Sequence, residues 1–409
     1  MIKEEYNEAH QAKRAGKFIC WYLAVAPYEI IFAWEEGNSV KSLNIDQFCA
    51  MLAAKQVSPK YIEAFERTGF SNDACGYCSI PVGAALRRRE GDIDFPLGGM
   101  PDPDIILGST YCEQYPRAIE LTSRVLKVPF FILDATHNAK GVNPESLNDH
   151  EIEYYVSQAW NFIHLMEKLT GTSFDEDALK TVVDREMKSF DLLREINEYR
   201  KAVPSPMTSP DWFACFYPFI ILAGKQKSLD FYQELLDEVK ARVKDGVGAL
   251  SDERYRLMWD GLPCYFDLGL FNYIEEKWKA ALVFEPMYNY YLGYGNQDSS
   301  KPLECLARKN IACTWSMPLD KLKDHYINYI KEYKIDGIIV NHHRRCKIWH
   351  VGKTMLSHIL YDELGVPSLL VEGEYLDPRD YNRARITMKI DAFMESLSSR
   401  NTSYPRLNP

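Results

Sequence analysis

Cysteines are the residues whose type and spacing most directly suggest chemistry in this chain, which has ten of them. Two form Cys75-Gly-Tyr-Cys78. Two more follow apolar runs: Asp104-Ile-Ile-Leu leads to Cys112, and Asp336-Gly-Ile-Ile-Val leads to Cys346. A lone CxxC has several readings. It can be a turn with two small buried side chains, or a thioredoxin-type redox pair, although no strand–CxxC–helix context is evident. A structural zinc site usually takes four nitrogen or sulfur ligands in paired spacing. No second CxxC exists here, since Cys305 and Cys313 lie eight apart. The remaining option is an iron–sulfur cluster with ligands from distant strand ends. Three thiolates on a four-iron cluster leave one iron open, which suits catalysis better than electron carriage by four cysteines.

His342 and His343 precede Cys346, with Arg344, Arg345, Lys347 and His350 around it. The run reads either as a solvated charged face or as a site. In a site, the cations would hold a polyanionic substrate and a histidine would supply protons. Val351-Gly-Lys-Thr354 looks like the end of a phosphate-binding loop. That motif needs a glycine five residues before Gly352, and Lys347 stands there. The segment then reads as a helix N-terminus, able to help hold an anion such as a coenzyme phosphate. Arg87 to Arg89 reads as surface. Tyr288, Tyr290, Tyr291 and Tyr294 read as packing residues or as an aromatic pocket.

The elements that must position these groups follow from length and pattern. At 409 residues the chain holds two to three domains of about 150 residues each. Hydrophobic residues at 46% and charged residues at 26% are globular values and exclude a disordered or fibrous chain. The 48 Lys and Arg against 58 Asp and Glu leave a net charge of -10, which argues against bulk nucleic-acid binding. The apolar run Phe18 to Trp34 contains Pro27 and Glu29 and is no membrane span. Glu4, Glu5 and Glu8 precede it, unlike a cationic leader. The expectation is a soluble cytoplasmic protein without a targeting segment, its thiols kept reduced.

Buried strands are expected at Phe18–Val25, Ile105–Leu107, Pro129–Leu133, Ala280–Phe284, Ile311–Trp315, Gly337–Val340 and Pro367–Val371, with helical patterns between them. The middle is helical. Ile152, Tyr155, Val156, Ala159, Ile163 and Met166 fall at helical spacing and Gly171 closes the pattern. Ser173 and Glu176 have capping-box spacing. Further helices are expected over about Ser228 to Lys244 and from Gly352 to Gly365. The fold class is α/β, with two Rossmann/flavodoxin-like parallel-sheet domains and a helical middle: 1–186, 187–275 and 276–409.

Four stretches then resemble the cluster-binding subunits of the 2-hydroxyacyl-CoA dehydratase and benzoyl-CoA reductase family. They are Asp73-Ala-Cys75-Gly-Tyr, Ser109-Thr-Tyr-Cys112-Glu, Trp259-Asp-Gly-Leu-Pro263, and Asp336-Gly-Ile-Ile-Val with Arg345-Cys346-Lys347. Asp377-Pro-Arg-Asp-Tyr and Ile390-Asp-Ala-Phe-Met resemble the family's C-terminal signature. The resemblance implies two α/β domains flanking a [4Fe–4S] cluster bound by Cys75, Cys112 and Cys346. Cys78 stands where other members often carry Ala or Ser. Also implied are a CoA thioester substrate, a related second iron–sulfur subunit, and a separate ATP-hydrolysing activator with its own cluster, in keeping with the broken phosphate loop.

Departures from the dehydratase pattern tilt the reading toward the reductase branch. A serine expected before the first proline is absent from Leu23-Ala-Val-Ala-Pro27, and Asp46 occupies a glutamate position. The chain is therefore expected to be a subunit of an ATP-dependent benzoyl-CoA-type reductase, with His342, His343 or Asp46 as proton donors. Three alternatives stay open. One is a 2-hydroxyacyl-CoA dehydratase subunit. Another is a double-cubane relative using Cys78, Cys305 and Cys313 as added ligands. The third is a non-catalytic zinc-stabilised binding protein.

Overall fold

The computed structural model describes residues 2–24, 26–92, 94–134, 147–289, 298–313, 315 and 317–401. The chain divides into two compact units of three stretches each. The first comprises Met1–Asp191, Tyr217–Tyr232 and Tyr291–Pro318, and the second Leu192–Phe216, Gln233–Tyr290 and Leu319–Pro409.

Each unit carries a four-stranded parallel sheet. In the first, β1 (Phe18–Tyr22), β2 (Val40–Asn44), β3 (Ile105–Ser109) and β4 (Phe130–Leu133) are ordered β2-β1-β3-β4. In the second, β5 (Tyr255–Asp260), β6 (Ala280–Phe284), β7 (Gly337–His342) and β8 (Ser368–Glu372) are ordered β6-β5-β7-β8. The α/β class and the two flavodoxin-like sheets are thus as expected. Strand order reverses between β1 and β3, and again between β5 and β7. Open parallel sheets bind ligands beyond their carboxyl ends at such points.

Strands β3 (Ile-Ile-Leu-Gly-Ser) and β6 (Ala-Ala-Leu-Val-Phe) are buried at every residue, because helices cover both faces of a parallel sheet. Two strands escaped the sequence pattern because each holds a buried cation. In β2, Lys41 Nζ is paired with Glu5 and Glu8 of helix Ile2–Arg14 at 2.8 and 3.1 Å. In β5, the Arg256 guanidinium donates to the carbonyls of Tyr333 and Ala202 at 2.6 and 3.0 Å.

The strand expected at Ile311–Trp315 is not formed: Ile311 is the last residue of helix Pro302–Ile311. A short apolar run cannot separate strand from buried helix by periodicity alone. The cap ahead of helix Glu176–Arg200 also differs. Asp175 Oδ1 accepts from Ala178 N–H at 3.0 Å, two residues later than the Ser173 cap expected. Gly171 closes helix Asp149–Thr170 in the left-handed region, as its sequence position predicts. No helix among the described residues is long and apolar enough to cross a membrane.

Candidate functional site

In the first unit the strand ends are tied together by one carboxylate. Asp46 lies in the first turn of helix Ile45–Ala54, whose N-cap Asn44 ends β2 and accepts from Gln47 N–H. Asp46 Oδ2 accepts from Ala24 N–H, just past β1, at 2.7 Å. Asp46 Oδ1 accepts from the Tyr115 hydroxyl at 2.7 Å. Tyr115 opens helix Tyr115–Leu126, three residues after Cys112 at the end of β3. Burial pushes the Asp46 carboxyl up to about 6, against the two hydrogen bonds that favour its charged form. An acid so placed can hold or give a proton near neutral pH.

Cys75 is the N-cap of helix Gly76–Arg89. Its N–H donates to Gln114 Oε1 at 2.9 Å, so a side chain two residues past Cys112 holds the Cys75 backbone. The CxxC therefore opens a helix, and the element before it is helix Pro59–Glu66, not a strand. Cys78 N–H donates to Cys75 O at 2.8 Å inside the first turn, and its thiol is buried. Burial pushes the Cys112 thiol up to about 11 and Cys78 well above its ordinary value.

In the second unit the loops after β7 and β8 interlock. The parallel register sets His342 opposite Glu372. His343 is fully buried with Nδ1 2.6 Å from Glu374 Oε1. Arg345, also buried, reaches Glu374 Oε1 and Asp377 Oδ2, each at 3.3 Å. His350 Nε2 lies 2.6 Å from the Tyr375 hydroxyl, and the ring of His342 packs 5.0 Å from that of His350. Burial, with Lys353 and the other histidines nearby, pushes His350 down to about 2 and keeps it neutral.

Asp260, the last residue of β5, accepts from Trp349 Nε1 at 2.7 Å and pairs with Lys353 Nζ at 3.1 Å. Lys353 also donates to the Tyr326 hydroxyl and stacks over Trp349 at 4.0 Å. It is 1% exposed, so its ammonium faces Asp260 and not a phosphate. That pairing sets it apart from a phosphate-loop lysine, whose ammonium points to the phosphates. Gly352, in the left-handed region, is the N-cap of helix Lys353–Leu364.

The basic run around Cys346 thus splits. Arg344 and Lys347 are exposed, while His343, Arg345 and His350 are buried in specific contacts. Of the tyrosine loop, Tyr288 is buried with its hydroxyl 2.6 Å from that of Tyr265; Tyr290, Tyr291 and Tyr294 lie outside the described residues. Arg87 and Arg88 pair with Asp92 and Asp102 at the end of their helix. Cys305 packs in the apolar core of the first unit, and Cys313 is buried. A cavity of about 670 Å³ opens near the amino ends of β1 and β2, the wrong end for the chemistry. Its Lys41 and Lys225 are committed to Glu8 and Glu35.

Sequence reasoning missed Tyr115, Gln114, Asp260, Glu374 and Tyr375. Only Asp260 had a signal, inside Trp259-Asp-Gly-Leu-Pro263. Among the described residues, no three His, Cys, Asp or Glu side chains gather closely enough to hold a metal ion. The donor chemistry still fits an iron–sulfur group. Cys112 and Cys346 follow the third strand of their respective sheets, and Cys75 caps a helix held to the Cys112 loop. Thiolates are the ligands such clusters take. A coordinating metal deprotonates a thiol outright, so the burial that keeps Cys112 neutral is no obstacle.

The chain is 25% identical over 406 residues to the alpha subunit of (R)-2-hydroxyisocaproyl-CoA dehydratase from Clostridioides difficile, covering 98% of this chain and 95% of that one. It is 24% identical to the (R)-phenyllactyl-CoA dehydratase alpha subunit of Clostridium sporogenes, covering 96% and 92%. It is 23% identical to a subunit of benzoyl-CoA reductase from Thauera aromatica, covering 98% and 94%. Residues 23–397 match the family model described as 2-hydroxyglutaryl-CoA dehydratase, D-component, and with nearly its whole length so matched the chain belongs to that family.

Proposed function

We propose that this chain is the iron–sulfur subunit of an ATP-dependent aryl-CoA reductase of the benzoyl-CoA type. The observation that carries the reading is Asp46, a buried carboxyl poised near pH 6 between Ala24 N–H and the Tyr115 hydroxyl, at the strand ends that bear Cys112. Ring reduction needs a proton for each electron added, and a carboxyl raised toward neutrality is suited to give one. Ala24 stands where the dehydratase pattern has a serine, and its backbone N–H donates to Asp46.

Cys75, Cys112 and Cys346 would hold a [4Fe–4S] cluster, which when bound supplies single low-potential electrons. His342 and His343 follow β7 beside Cys346. His343 is fully buried beside Glu374, which leaves His342, only partly buried, as the better placed of the two to exchange protons. In this reading the substrate is a CoA thioester. The partners are a related iron–sulfur subunit and a separate ATP-hydrolysing activator, and the compartment is the cytoplasm. The relatives, each named as one subunit of its enzyme, support the partner subunit.

The second reading is a 2-hydroxyacyl-CoA dehydratase subunit, supported by the dehydratase names among the relatives. One experiment separates the two. The reconstituted complex, with activator, ATP and a strong reductant, is offered benzoyl-CoA and a 2-hydroxyacyl-CoA in parallel. Formation of a cyclic dienoyl-CoA supports the reductase. Rapid conversion to the enoyl-CoA with no aryl-CoA turnover overturns it. Iron, zinc and sulfide analysis of the same preparation tests the double-cubane and zinc-stabilised alternatives.

A further inference from the structure

The backbone of Cys346 is held from both sides. Its N–H donates to His343 O at 2.9 Å, and its carbonyl accepts from His350 N–H at 3.3 Å. The side chains of these two histidines are anchored on adjacent residues of the loop after β8. His343 Nδ1 lies 2.6 Å from Glu374 Oε1, and His350 Nε2 lies 2.6 Å from the Tyr375 hydroxyl. Glu374 also reaches Arg345, the residue before Cys346, at 3.3 Å. The Tyr375 ring packs edge-on against His343 at 4.4 Å.

The path that brings these residues together is narrow. A Cβ at Gly373 would stand 1.7 Å from Asn341 Oδ1. Glycine lets the chain leave β8 against the Asn341 side chain of β7; a larger residue would have to push that side chain aside. The contacts are buried, with Glu374 7% and Arg345 3% exposed. Arg345 keeps Asp377 and Asp380 as partners when Glu374 is changed, so the loss of the Glu374 carboxylate falls chiefly on its contact with His343.

We propose that Glu374 and Tyr375 are positioning residues that clamp the Cys346 loop and so fix where its thiolate meets the cluster. This rests on the reading of Cys346 as a ligand. Outer groups that orient ligands tune a metal centre without touching it.

The test uses the anaerobically prepared protein with its co-purified subunit. Glu374→Gln is compared with the parent and with Glu372→Gln, which removes an exposed carboxylate two residues away. Glu374→Gln is expected to keep the parent's iron and sulfide content. Its midpoint potential and electron paramagnetic resonance signal should shift. After iron is removed with a chelator, maleimide should label Cys346 at least threefold faster, read by peptide mass mapping. Glu374→Asp should return labelling toward the parent rate, and Glu372→Gln should match the parent throughout.

Parent-like potential and labelling in Glu374→Gln would overturn the clamp, as would an equal shift in Glu372→Gln. Should Glu374→Gln fail to fold, Tyr375→Phe carries the test, because it loses only the hydroxyl; parent-like Cys346 labelling there overturns the proposal. Full iron retention in Cys346→Ser would overturn the ligand reading instead. The labelling arm, run on iron-free protein, still decides the clamp.

Discussion

The Tyr115 hydroxyl donates to Asp46 Oδ1 at 2.7 Å, joining the loop that follows Cys112 to the helix that follows β2. The phenol is buried, and the bond fixes an acid whose other oxygen is held by Ala24 N–H. Asp46→Asn keeps the shape and removes the exchangeable proton. It is expected to lower kcat about 10²-fold or more, the usual worth of a positioned general acid, with iron content unchanged. Tyr115→Phe should cost less, because the carboxyl stays in place. Iron assay and turnover on one preparation check both, and an unimpaired Asp46→Asn enzyme would remove Asp46 from the chemistry.

The ligand assignment makes a stoichiometric prediction. Anaerobically prepared protein should contain about four irons and four sulfides per chain. Serine at Cys75, Cys112 or Cys346 should remove or degrade the cluster, since a hydroxyl is a poor ligand for a soft metal site. Cys78→Ser should leave it largely intact, although Cys78 shares the first helical turn with Cys75. About eight irons per chain would instead favour the double-cubane relative.

Lys353 yields a prediction different from the one its motif suggests. Its ammonium and Asp260 form a buried pair beside Trp349. Lys353→Ala should therefore destabilise the protein by about 3–5 kcal/mol, the usual consequence of stranding a buried charge. The isolated chain should not bind ATP in calorimetry, with or without the substitution. A thermal melt and a titration with nucleotide decide the two points, and micromolar ATP binding would restore the phosphate-loop reading.

These cases mark what was legible in the sequence. Strands such as Ala280–Phe284 and Gly337–His342 announced themselves because both faces are covered and their residues are mostly apolar or small. Val40–Asn44 and Tyr255–Asp260 did not, since Lys41 and Arg256 interrupt the pattern and are satisfied only by distant partners. The site followed the same rule. Cysteines and histidines carry their chemistry in their type, so Cys112 and Cys346 could be set at equivalent strand ends from sequence. Tyr115 and Glu374 gain their roles from loops far along the chain, which no local spacing encodes.

Glu275 provides a pH prediction outside the candidate site. It lies in helix Gly269–Trp278, and burial pushes its carboxyl up to about 7, with Asp211 and Glu276 adding repulsion against a hydrogen bond from Thr208. The folded protein therefore holds this proton more tightly than the unfolded chain. The sign follows from linkage: where the folded state binds more protons, stability falls as pH rises. The contribution should be fully present below the ordinary glutamate value and be lost progressively as pH climbs to about 7. At most it is worth about 3 kcal/mol, from the size of the displacement. Glu275→Gln removes the titration while keeping the shape, so its stability should vary less with pH between about 4.5 and 7. Urea melts of both proteins across that range would test this, and parallel pH profiles would show that Glu275 does not carry the dependence.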